Sequence, residues 1–299
     1  MSEVRIEHDG DDLRLFLDQT EIGRYRVADS GIPALNTPKP YLHPLRTAGG
    51  TSFTGFAPDD HPWHHGLAFA FPRVGTSELS HNLWGGGTYF GPADGYIVVE
   101  DQGRIAHVGW EETAGEDGAF AHRIEWRGHD DELLLTETRR YRLTSVEADG
   151  HAGWMLQLDT TLRNPGPDDL LLETPAQRGR EDGGYGGWFL RFDEGFTAAA
   201  LTADGRPVDA SGARGDTFVI DGRTAGGEEV TVGMHYGPGE SAGDRRWLYR
   251  FEPFSLAGFA VAYDDGLTVA AGAEIAFSHR IAVFDGSIDA ARVEDVLRA

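Results

Sequence analysis

The sequence predicts an all-β protein, an antiparallel β-sandwich or barrel, on three observations. Roughly a dozen short runs alternate apolar and polar residues with the period of two that half-buried strands show. Clusters of Gly, Asp, Asn and Pro separate these runs, and the chain contains 41 glycines and 14 prolines. Only one segment, at the C-terminus, has helical spacing. A chain with many strands and few helices buries its apolar faces sheet against sheet.

The predicted strands follow one another along most of the chain. In chain order they are residues 4–6, 13–17, 66–71, 96–100, 104–110, 122–126, 133–143, 154–163, 188–192, 217–220, 230–235, 259–263 and 274–284. In the run 133–143, the alternate positions that begin at Leu133 form the predicted inner face. Glu137 and Arg139 are polar residues on that face.

The tail 287–299 predicts the one helix. Ser287 is its predicted cap, and the apolar residues lie close to helical spacing at Ile288, Val293, Val296 and Leu297. No Pro/Ser-rich linker, low-complexity tract or repeat of fixed period divides the chain. We therefore expect a single sandwich domain over residues 1–299.

Composition and charge exclude or disfavour several classes of function. The formal net charge of −23 disfavours nucleic acid and anionic membrane surfaces as partners, because both would be repelled. The chain has no cysteine, so thiolate catalysis and Cys-based metal sites are excluded. Neither an N-terminal apolar signal nor a run of about 18 apolar residues occurs, and we expect a soluble cytoplasmic protein. The sequence leaves a homo-oligomer open.

The densest group of chemically active residues is the segment DDHPWHHG, residues 59–66. It holds His61, His64 and His65 beside two carboxylates and Trp63. Imidazole exchanges protons near neutral pH and is the commonest metal ligand. Pro62 predicts a loop here with an extended conformation at His61. In an extended chain His61, Trp63 and His65 would point to one side and His64 to the other.

Further candidate residues lie in two glycine-rich segments and one strand. The segment 80–91 combines His81, Asn82 and Trp84 with the glycines 85–87, whose backbone tolerates close approach. The segment 173–192 crowds charged residues before a predicted strand, namely Arg178, Arg180, Glu181 and Asp182, followed by Tyr185. His107 lies in the strand 104–110, which could aim it into the same cavity. In each case the alternative is an ordinary hairpin, a core aromatic or a solvated ion pair.

No GxSxG, HExxH, Walker or EF-hand pattern is present, and the sequence requires no cofactor. A divalent metal is the alternative that the histidines leave open. Its ligands would be His61, His65 and His107, with Asp60 or Glu181 completing a nitrogen and oxygen site.

Six blocks resemble the bacterial family often labelled "methane oxygenase PmoA". They are YLHPLRT (41–47), DDHPWHHGL (59–67), NLWGGG (82–87), GRIAH (103–107), GGYGGWFLRF (183–192) and FSHRIAVFDG (277–286). The absence of a membrane span contradicts the oxygenase label. The resemblance instead implies a cytosolic protein with the build of a galactose mutarotase-like supersandwich, in a family associated with bacterial sugar catabolism. The chain departs from the family pattern at His65, where Arg is also common.

Our leading expectation is an enzyme that transfers protons on a sugar or sugar derivative, by epimerisation, mutarotation, or lyase or hydrolase chemistry on an oxidised glycoside. The predicted catalytic residues are His61, His64, His107 and Glu181. The predicted substrate-binding residues are His43, Arg46, Trp63, His65, His81, Asn82, Trp84, Arg178 and Tyr185. The alternative is a non-catalytic sugar-binding or regulatory module that uses the same aromatic residues and arginines.

Overall fold

The computed structural model describes residues 2–27, 31–112, 117–237 and 244–299. Within these ranges the strands are β1 (Val4–Asp9), β2 (Asp12–Leu17), β3 (Thr20–Arg26), β4 (Tyr41–Leu45), β5 (Leu67–Ala70), β6 (Arg73–Gly75), β7 (Ser80–His81), β8 (Thr88–Tyr89), β9 (Tyr96–Ile97), β10 (Arg104–Glu112), β11 (Ala119–Arg127), β12 (Leu133–Ala148), β13 (His151–Arg163), β14 (Leu170–Glu173), β15 (Gly187–Arg191), β16 (Thr197–Ala203), β17 (Arg206–Pro207), β18 (Ala213–Arg214), β19 (Thr217–Arg223), β20 (Glu229–Tyr236), β21 (Arg246–Arg250), β22 (Leu256–Phe259), β23 (Leu267–Val269) and β24 (Glu274–Asp285). One α-helix, α1 (Ala290–Arg298), and two short 3-10 helices, Ala34–Asn36 and Pro175–Arg178, complete the elements. The expected all-β class is confirmed.

Two nine-stranded antiparallel sheets form the framework. The first sheet has the order β1-β2-β3-β4-β5-β15-β22-β21-β18, and the second has the order β10-β11-β12-β13-β24-β20-β19-β16-β17. Smaller sheets of four strands (β23-β14-β6-β7) and two strands (β8-β9) lie in the connections. At the centre of each large sheet the neighbouring strands are not consecutive in sequence, as in β5-β15-β22 and β13-β24-β20, so distant segments of the chain meet on one sheet.

The core lies between the two large sheets because their inner faces carry the apolar half of each alternating run. On β13, Trp154, Leu156 and Leu158 are buried, while the residues between them are partly exposed. Phe69 of the first sheet packs against Trp126 and Phe277 of the second, with ring centroids 5.7 and 5.9 Å apart. Interdigitation of aromatic side chains thus joins the sheets.

The helix α1 covers part of the outer face of the second sheet. Val293 and Leu297 are fully buried there against Gly233, where an added Cβ atom would come within 2.4 Å of Val293. The predicted helix is present, but its predicted cap is wrong. Asp289 accepts the capping hydrogen bond from the Ala291 amide, whereas the Ser287 hydroxyl donates to Asp221 and lies before the helix.

Some strand bounds differ from expectation. The predicted strand 259–263 lies instead at Leu256–Phe259, and the predicted strand 96–100 is only Tyr96–Ile97. Among the described residues, no helix is long and apolar enough to cross a lipid bilayer.

Candidate functional site

The outer face of the first sheet forms the floor of a cavity. On β15, Trp188 contacts Tyr141 of the second sheet, whereas the Phe189 ring lies 4.2 Å from the Trp84 ring on the opposite side. Because successive side chains of a strand point to opposite faces, Arg191 shares the outer face with Phe189. Leu256 pairs across the sheet with Arg191 and with Arg250. Three neighbouring strands therefore present one row of side chains to the cavity region.

The cavity has a volume of about 350 Å³. This lies at the lower end of the range of about 300 to 1,000 Å³ that small-molecule sites occupy. Its walls combine aromatic residues with groups that bear protons or charge. The aromatic lining is Trp63, Trp84, Tyr96, Tyr185 and Phe254; the polar lining is His61, His64, Arg180, Asp182 and Arg250; Gly85, Gly87, Leu248 and Leu256 complete it.

The segment 58–64 is a loop, as expected, and it folds into two consecutive turns, which corrects the alternation of side chains expected for an extended chain. The His61 amide donates to the Pro58 carbonyl at 3.0 Å, and the His64 amide donates to the His61 carbonyl at 2.9 Å. Pro62 occupies the second position of the latter turn, where its fixed φ is favourable. The turn brings the His61 and His64 rings onto the same side, stacked with centroids 4.7 Å apart and planes at 16°.

His61 is held by a carboxylate that is itself held by an arginine. His61 Nδ1 donates to Asp60 Oδ2 at 2.8 Å, and Arg191 Nη2 donates to Asp60 Oδ1 at 3.2 Å. Burial raises the pKa of Asp60, but the hydrogen bond from His61 and the charge of Arg191 outweigh it and the pKa is lowered. The carboxylate stays ionised, and it fixes the tautomer of His61 that leaves Nε2 with a free lone pair.

Both stacked histidines are neutral at pH 7. Burial lowers the pKa of His61 more than its hydrogen bond to Asp60 raises it, and the charges of Arg191 and Arg250 act in the same direction as burial. Burial also holds the pKa of His64 well below its usual value, with the neighbouring His61 adding to the effect. The His64 side chain is 3% exposed, and its Nδ1 has no hydrogen-bond partner among the described residues.

The glycine run 85–87 shapes the opposite wall by allowing Trp63 to approach its backbone. An added Cβ atom at Gly86 would lie 2.7 Å from the Trp63 indole, and one at Gly85 would lie 2.5 Å from the Trp63 Cβ. Asn82 holds the loop in place. Its Oδ1 accepts from the amides of Trp84 and Gly85, and its Nδ2 donates to the Gly86 carbonyl. Asn82 therefore builds the wall and does not line the cavity.

Lys39, the only lysine, supports the same wall from beneath. Its buried Nζ donates to the carbonyls of Asn36, Thr37 and Trp63 at 3.2, 2.9 and 3.3 Å. Burial lowers the pKa of Lys39 to about 7. The lysine thereby ties the histidine loop to the 3-10 helix Ala34–Asn36.

Two tyrosines and an arginine form the remaining wall. The hydroxyl groups of Tyr96 and Tyr185 are hydrogen-bonded at 2.6 Å, and the Arg180 guanidinium lies 4.7 Å from the centre of the Tyr96 ring. The Tyr185 ring packs 4.9 Å from Trp84. Burial raises the pKa of Tyr185, so that its hydroxyl stays protonated and able to donate.

Five of the predicted catalytic and substrate-binding residues line this cavity: His61, Trp63, His64, Trp84 and Tyr185. Two histidines of the same sequence blocks lie behind it. His65 is fully buried, its Nε2 donates to the Pro62 carbonyl, and burial lowers its pKa to about 2. His43 Nδ1 hydrogen-bonds the Thr54 hydroxyl, and burial lowers its pKa to about 4. Both imidazoles stack on Phe56, so they pack within the loop framework.

Other proposed residues are bonded to partners outside the cavity. Arg46 pairs with Glu21, and Arg178 pairs with Glu173. His81 uses both ring nitrogens, with Nε2 at 2.6 Å from Glu132 and Nδ1 accepting from the His129 amide. Glu181 is exposed, while its neighbours Arg180 and Asp182 line the cavity. A turn closed by the Gly183 amide and the Arg180 carbonyl directs Glu181 outward.

His107 does not converge on the cavity. It lies on β10 of the second sheet, where its Nδ1 is 2.8 Å from Nδ1 of His122, and His122 Nε2 is 2.6 Å from the Tyr25 hydroxyl. The Trp110 ring covers the pair. The alternating strand does aim His107 inward, but toward the edge of the core and not toward the histidine loop.

The ligand set of the metal alternative is therefore not assembled. His61 lies in the cavity, His65 behind it and His107 on the other sheet. No group of three or more His, Asp or Glu side chains that could hold a metal ion occurs in ranges 2–27, 31–112, 117–237 and 244–299.

Several lining residues were not singled out from sequence. Tyr96, Arg250 and Phe254 come from short segments without a recognisable motif. Arg180 and Asp182 were candidates from sequence, through the charged loop that they share with Arg178 and Glu181, and both line the cavity. Arg250 could have been recognised only from its pairing with Leu256 on the neighbouring strand, and sequence alone does not reveal that pairing.

Comparisons with known proteins identify a family and leave the activity open. The model of DUF6807, a family of unknown function, matches residues 12–298 and gives no support to the methane oxygenase label. No curated protein sequence matches significantly. Among solved structures, a galactose mutarotase related enzyme from Lactobacillus acidophilus is similar at 10% identity, covering 97% of this chain and 99% of that chain, with a TM-score of 0.40. A protein provisionally assigned as an aldose 1-epimerase from Escherichia coli K12 is similar at 11% identity, covering 96% and 100%, with a TM-score of 0.37.

Proposed function

The chain belongs to the DUF6807 family of unknown function, and we propose that it is an enzyme that moves a proton on a carbohydrate or sugar derivative, with His61 as the acid and base. The observation that carries the proposal is the chain of hydrogen bonds from Arg191 through Asp60 to His61 at the wall of an aromatic cavity. A histidine whose Nδ1 is fixed by a carboxylate presents Nε2 as a base, and the same carboxylate stabilises the imidazolium that forms.

The residues of the cavity walls favour a sugar as the substrate. Trp84 and Trp63 offer flat indole faces of the kind that pack against the C–H face of a sugar ring. The hydroxyl groups of Tyr96 and Tyr185 lie on the same lining, and the one that accepts in their mutual hydrogen bond can donate its own O–H to a ring or hydroxyl oxygen. A binding site for a sugar ring requires apolar faces together with a few polar groups in fixed positions.

The protonation states of the two stacked rings, His61 and His64, determine how the proton moves. Neutral His61 accepts a proton from a C–H or O–H group, and Asp60 compensates the new charge. Since the charge of His61 lowers the pKa of His64, the pair carries at most one positive charge near neutral pH. In an epimerisation the imidazolium returns the proton to the other face of the planar carbon, after the intermediate has turned in the cavity; in an elimination it gives the proton to the leaving oxygen.

The test is a substrate screen combined with one histidine substitution. Aldoses, keto-sugars and glycosides are incubated with the protein in D₂O, and NMR records the loss of proton signals and the appearance of products. We expect His61→Gln to lower the turnover of an active substrate by about 10² to 10⁴, the usual contribution of a general base. The control is His129→Gln, because that side chain is exposed and lies outside the cavity.

Full turnover by the folded His61→Gln protein would contradict the proposal. Saturable binding of a sugar without product or deuterium exchange would instead favour the alternative, a non-catalytic binding module.

A further inference from the structure

Two arginines of the cavity have no partner of opposite charge among the described residues. Neither the Arg180 nor the Arg250 guanidinium forms a hydrogen bond or an ion pair in that part of the chain. Arg180 packs on the ring of Tyr96, and Arg250 packs on the ring of Phe254. Two other arginines nearby are paired, Arg178 with Glu173 and Arg191 with Asp60. The contrast lies between arginines beside the cavity and arginines that line it.

The strongly acidic composition of the chain makes arginines without an acidic partner unexpected. The protein has 49 acidic residues and 26 basic ones, so carboxylates are abundant. The lining itself has one, Asp182, against two guanidinium groups, and both histidines are neutral at pH 7. The cavity is thus a region of net positive charge on a protein whose net charge is −23. A confined positive site concentrates anions of matching size.

From this we infer that the ligand of the cavity carries an oxyanion, a carboxylate or a phosphate attached to a sugar, which binds between Arg250 and Arg180. Arg250 lies on β21 in register with Leu256, and Arg180 lies in the wall that Tyr96 and Tyr185 form. Both guanidinium groups are close enough to the Tyr185 hydroxyl for their charges to act on it. A planar guanidinium donates two parallel hydrogen bonds to an oxyanion and is the usual residue for such recognition. Packing against Tyr96 and Phe254 restrains both side chains before a ligand arrives.

The inference deepens the proposed function, because the anion would be bound next to the base. Arg250 is among the charges that lower the pKa of His61. An anion between the two arginines compensates that charge, so binding should raise the pKa of His61 and make it a stronger base. Neutral sugars lack this effect.

The experiment measures binding directly and does not need turnover. Glucose, galactose and mannose are compared with their 6-carboxylates and 6-phosphates, and inorganic phosphate serves as a probe that is independent of sugar stereochemistry. Calorimetry and the ring signals of His61 and His64 in NMR report binding. We expect at least one anionic form to bind at least about tenfold more tightly than its neutral parent, with an affinity that falls as salt is added. The comparison of the 6-carboxylates with the 6-phosphates shows which of the two oxyanions the site binds.

Three variants locate the effect. Arg180→Met together with Arg250→Met should remove the preference for anions, because the apolar stems are kept and the charges are lost. Arg180→Lys with Arg250→Lys should retain part of it, since the charge remains without the planar fork. Arg142→Met is the matched control, because Arg142 is an exposed arginine on the second sheet that forms no ion pair with any residue the structure describes. Circular dichroism checks that each variant is folded.

Two results would overturn the inference: no saturable response of the wild-type protein to any anionic probe, inorganic phosphate included, or an anion preference that survives in the folded double methionine variant. The proposed function fails separately. If His61→Gln binds the anionic sugar as the wild type does and the wild type yields no product, the anion site stands and the enzymatic proposal does not.

Discussion

At the scale of single residues, the Asp60 carboxylate decides what His61 can do. It accepts a hydrogen bond from His61 Nδ1 and one from Arg191 Nη2, and both its hydrogen bond and its charge raise the pKa of His61 against burial. The proton affinity and the orientation of the proposed base therefore depend on a partially exposed side chain, one residue away in sequence.

We expect Asp60→Asn to lower the pKa of His61 further, because an amide accepts the hydrogen bond without a negative charge. The pKa of His61 in the folded protein lies below its ordinary value, so as the pH falls through about 6.5 the unfolded chain takes up this proton first and stability declines. Asp60→Asn should enlarge that decline. Histidine NMR titration and urea unfolding at pH 8 and 5.5 measure both effects.

The matched control is Asp59→Asn, which removes the adjacent exposed carboxylate. It should leave the His61 titration nearly unchanged. Equal shifts in the two variants would mean that general surface charge, and not the hydrogen bond, sets the pKa of His61.

The sequence indicated the chemistry of this segment but not its geometry. The density of histidines pointed to residues 59–66, and two of its three histidines do line the cavity. The expected alternation of side chains was wrong because the effect of Pro62 on the residue before it was weighed, whereas its preference for the second position of a turn was not. Because of the turn, the His64 ring lies on the same side as the His61 ring, and the alternation of side chains in an extended chain does not apply.

At the scale of elements, the loop with glycines 85–87 and the turn of residues 58–64 are shaped to fit each other. Trp63 lies against the backbone of Gly85 and Gly86, and Lys39 bonds the Trp63 carbonyl. Neither loop would hold its position without the other, because the indole fills the space that side chains at positions 85 and 86 would occupy.

Gly86→Ala should displace Trp63 and destabilise the fold by about 1 to 3 kcal/mol more than Gly95→Ala does. The two glycines have nearly the same φ, +70° and +67°, so the cost of backbone strain is matched. They differ in space, since an added Cβ atom at Gly95 meets nothing within 4 Å. Urea unfolding and near-UV circular dichroism of the tryptophans provide the measurement. Equal destabilisation would show that Trp63 is free to move aside.

The strand β21 explains why part of the cavity was not predictable. Its inner residues Trp247 and Tyr249 pack on Phe218 of the second sheet, while Leu248 and Arg250 face the cavity. A strand covered on both faces lacks the alternation of polar and apolar residues by which strands are recognised. Arg250 therefore carried no sequence signal. By contrast, β12 and β13 were found because one face of each is exposed to solvent.

At the scale of the whole molecule, a buried ion pair connects the core to the strand that carries the cavity floor. Glu137 and Arg139 were expected on the inner face of β12, and both are buried there. The Arg139 guanidinium lies 4.9 Å from the ring of Trp188, whose neighbour Phe189 packs against the cavity residue Trp84. The pair thus belongs to one sheet and packs against the other.

Removing one partner of this pair should be costly, whereas replacing both should cost less. Arg139 Nε donates to Glu137 Oε1 at 2.5 Å, and Trp126 Nε1 donates to Glu137 Oε2 at 2.7 Å. Glu137→Gln keeps the shape but leaves a buried guanidinium without a counter-charge, so we expect a loss of about 3 to 5 kcal/mol in the free energy of unfolding. Glu137→Leu with Arg139→Met removes both charges and should be less destabilised than Glu137→Gln. The control is Glu229→Gln, which breaks an exposed pair with Arg223 on the same sheet and should cost less than about 1 kcal/mol. Urea unfolding of the variants measures these differences, and a Glu137→Gln loss no larger than that of Glu229→Gln would show that water reaches the space between the sheets.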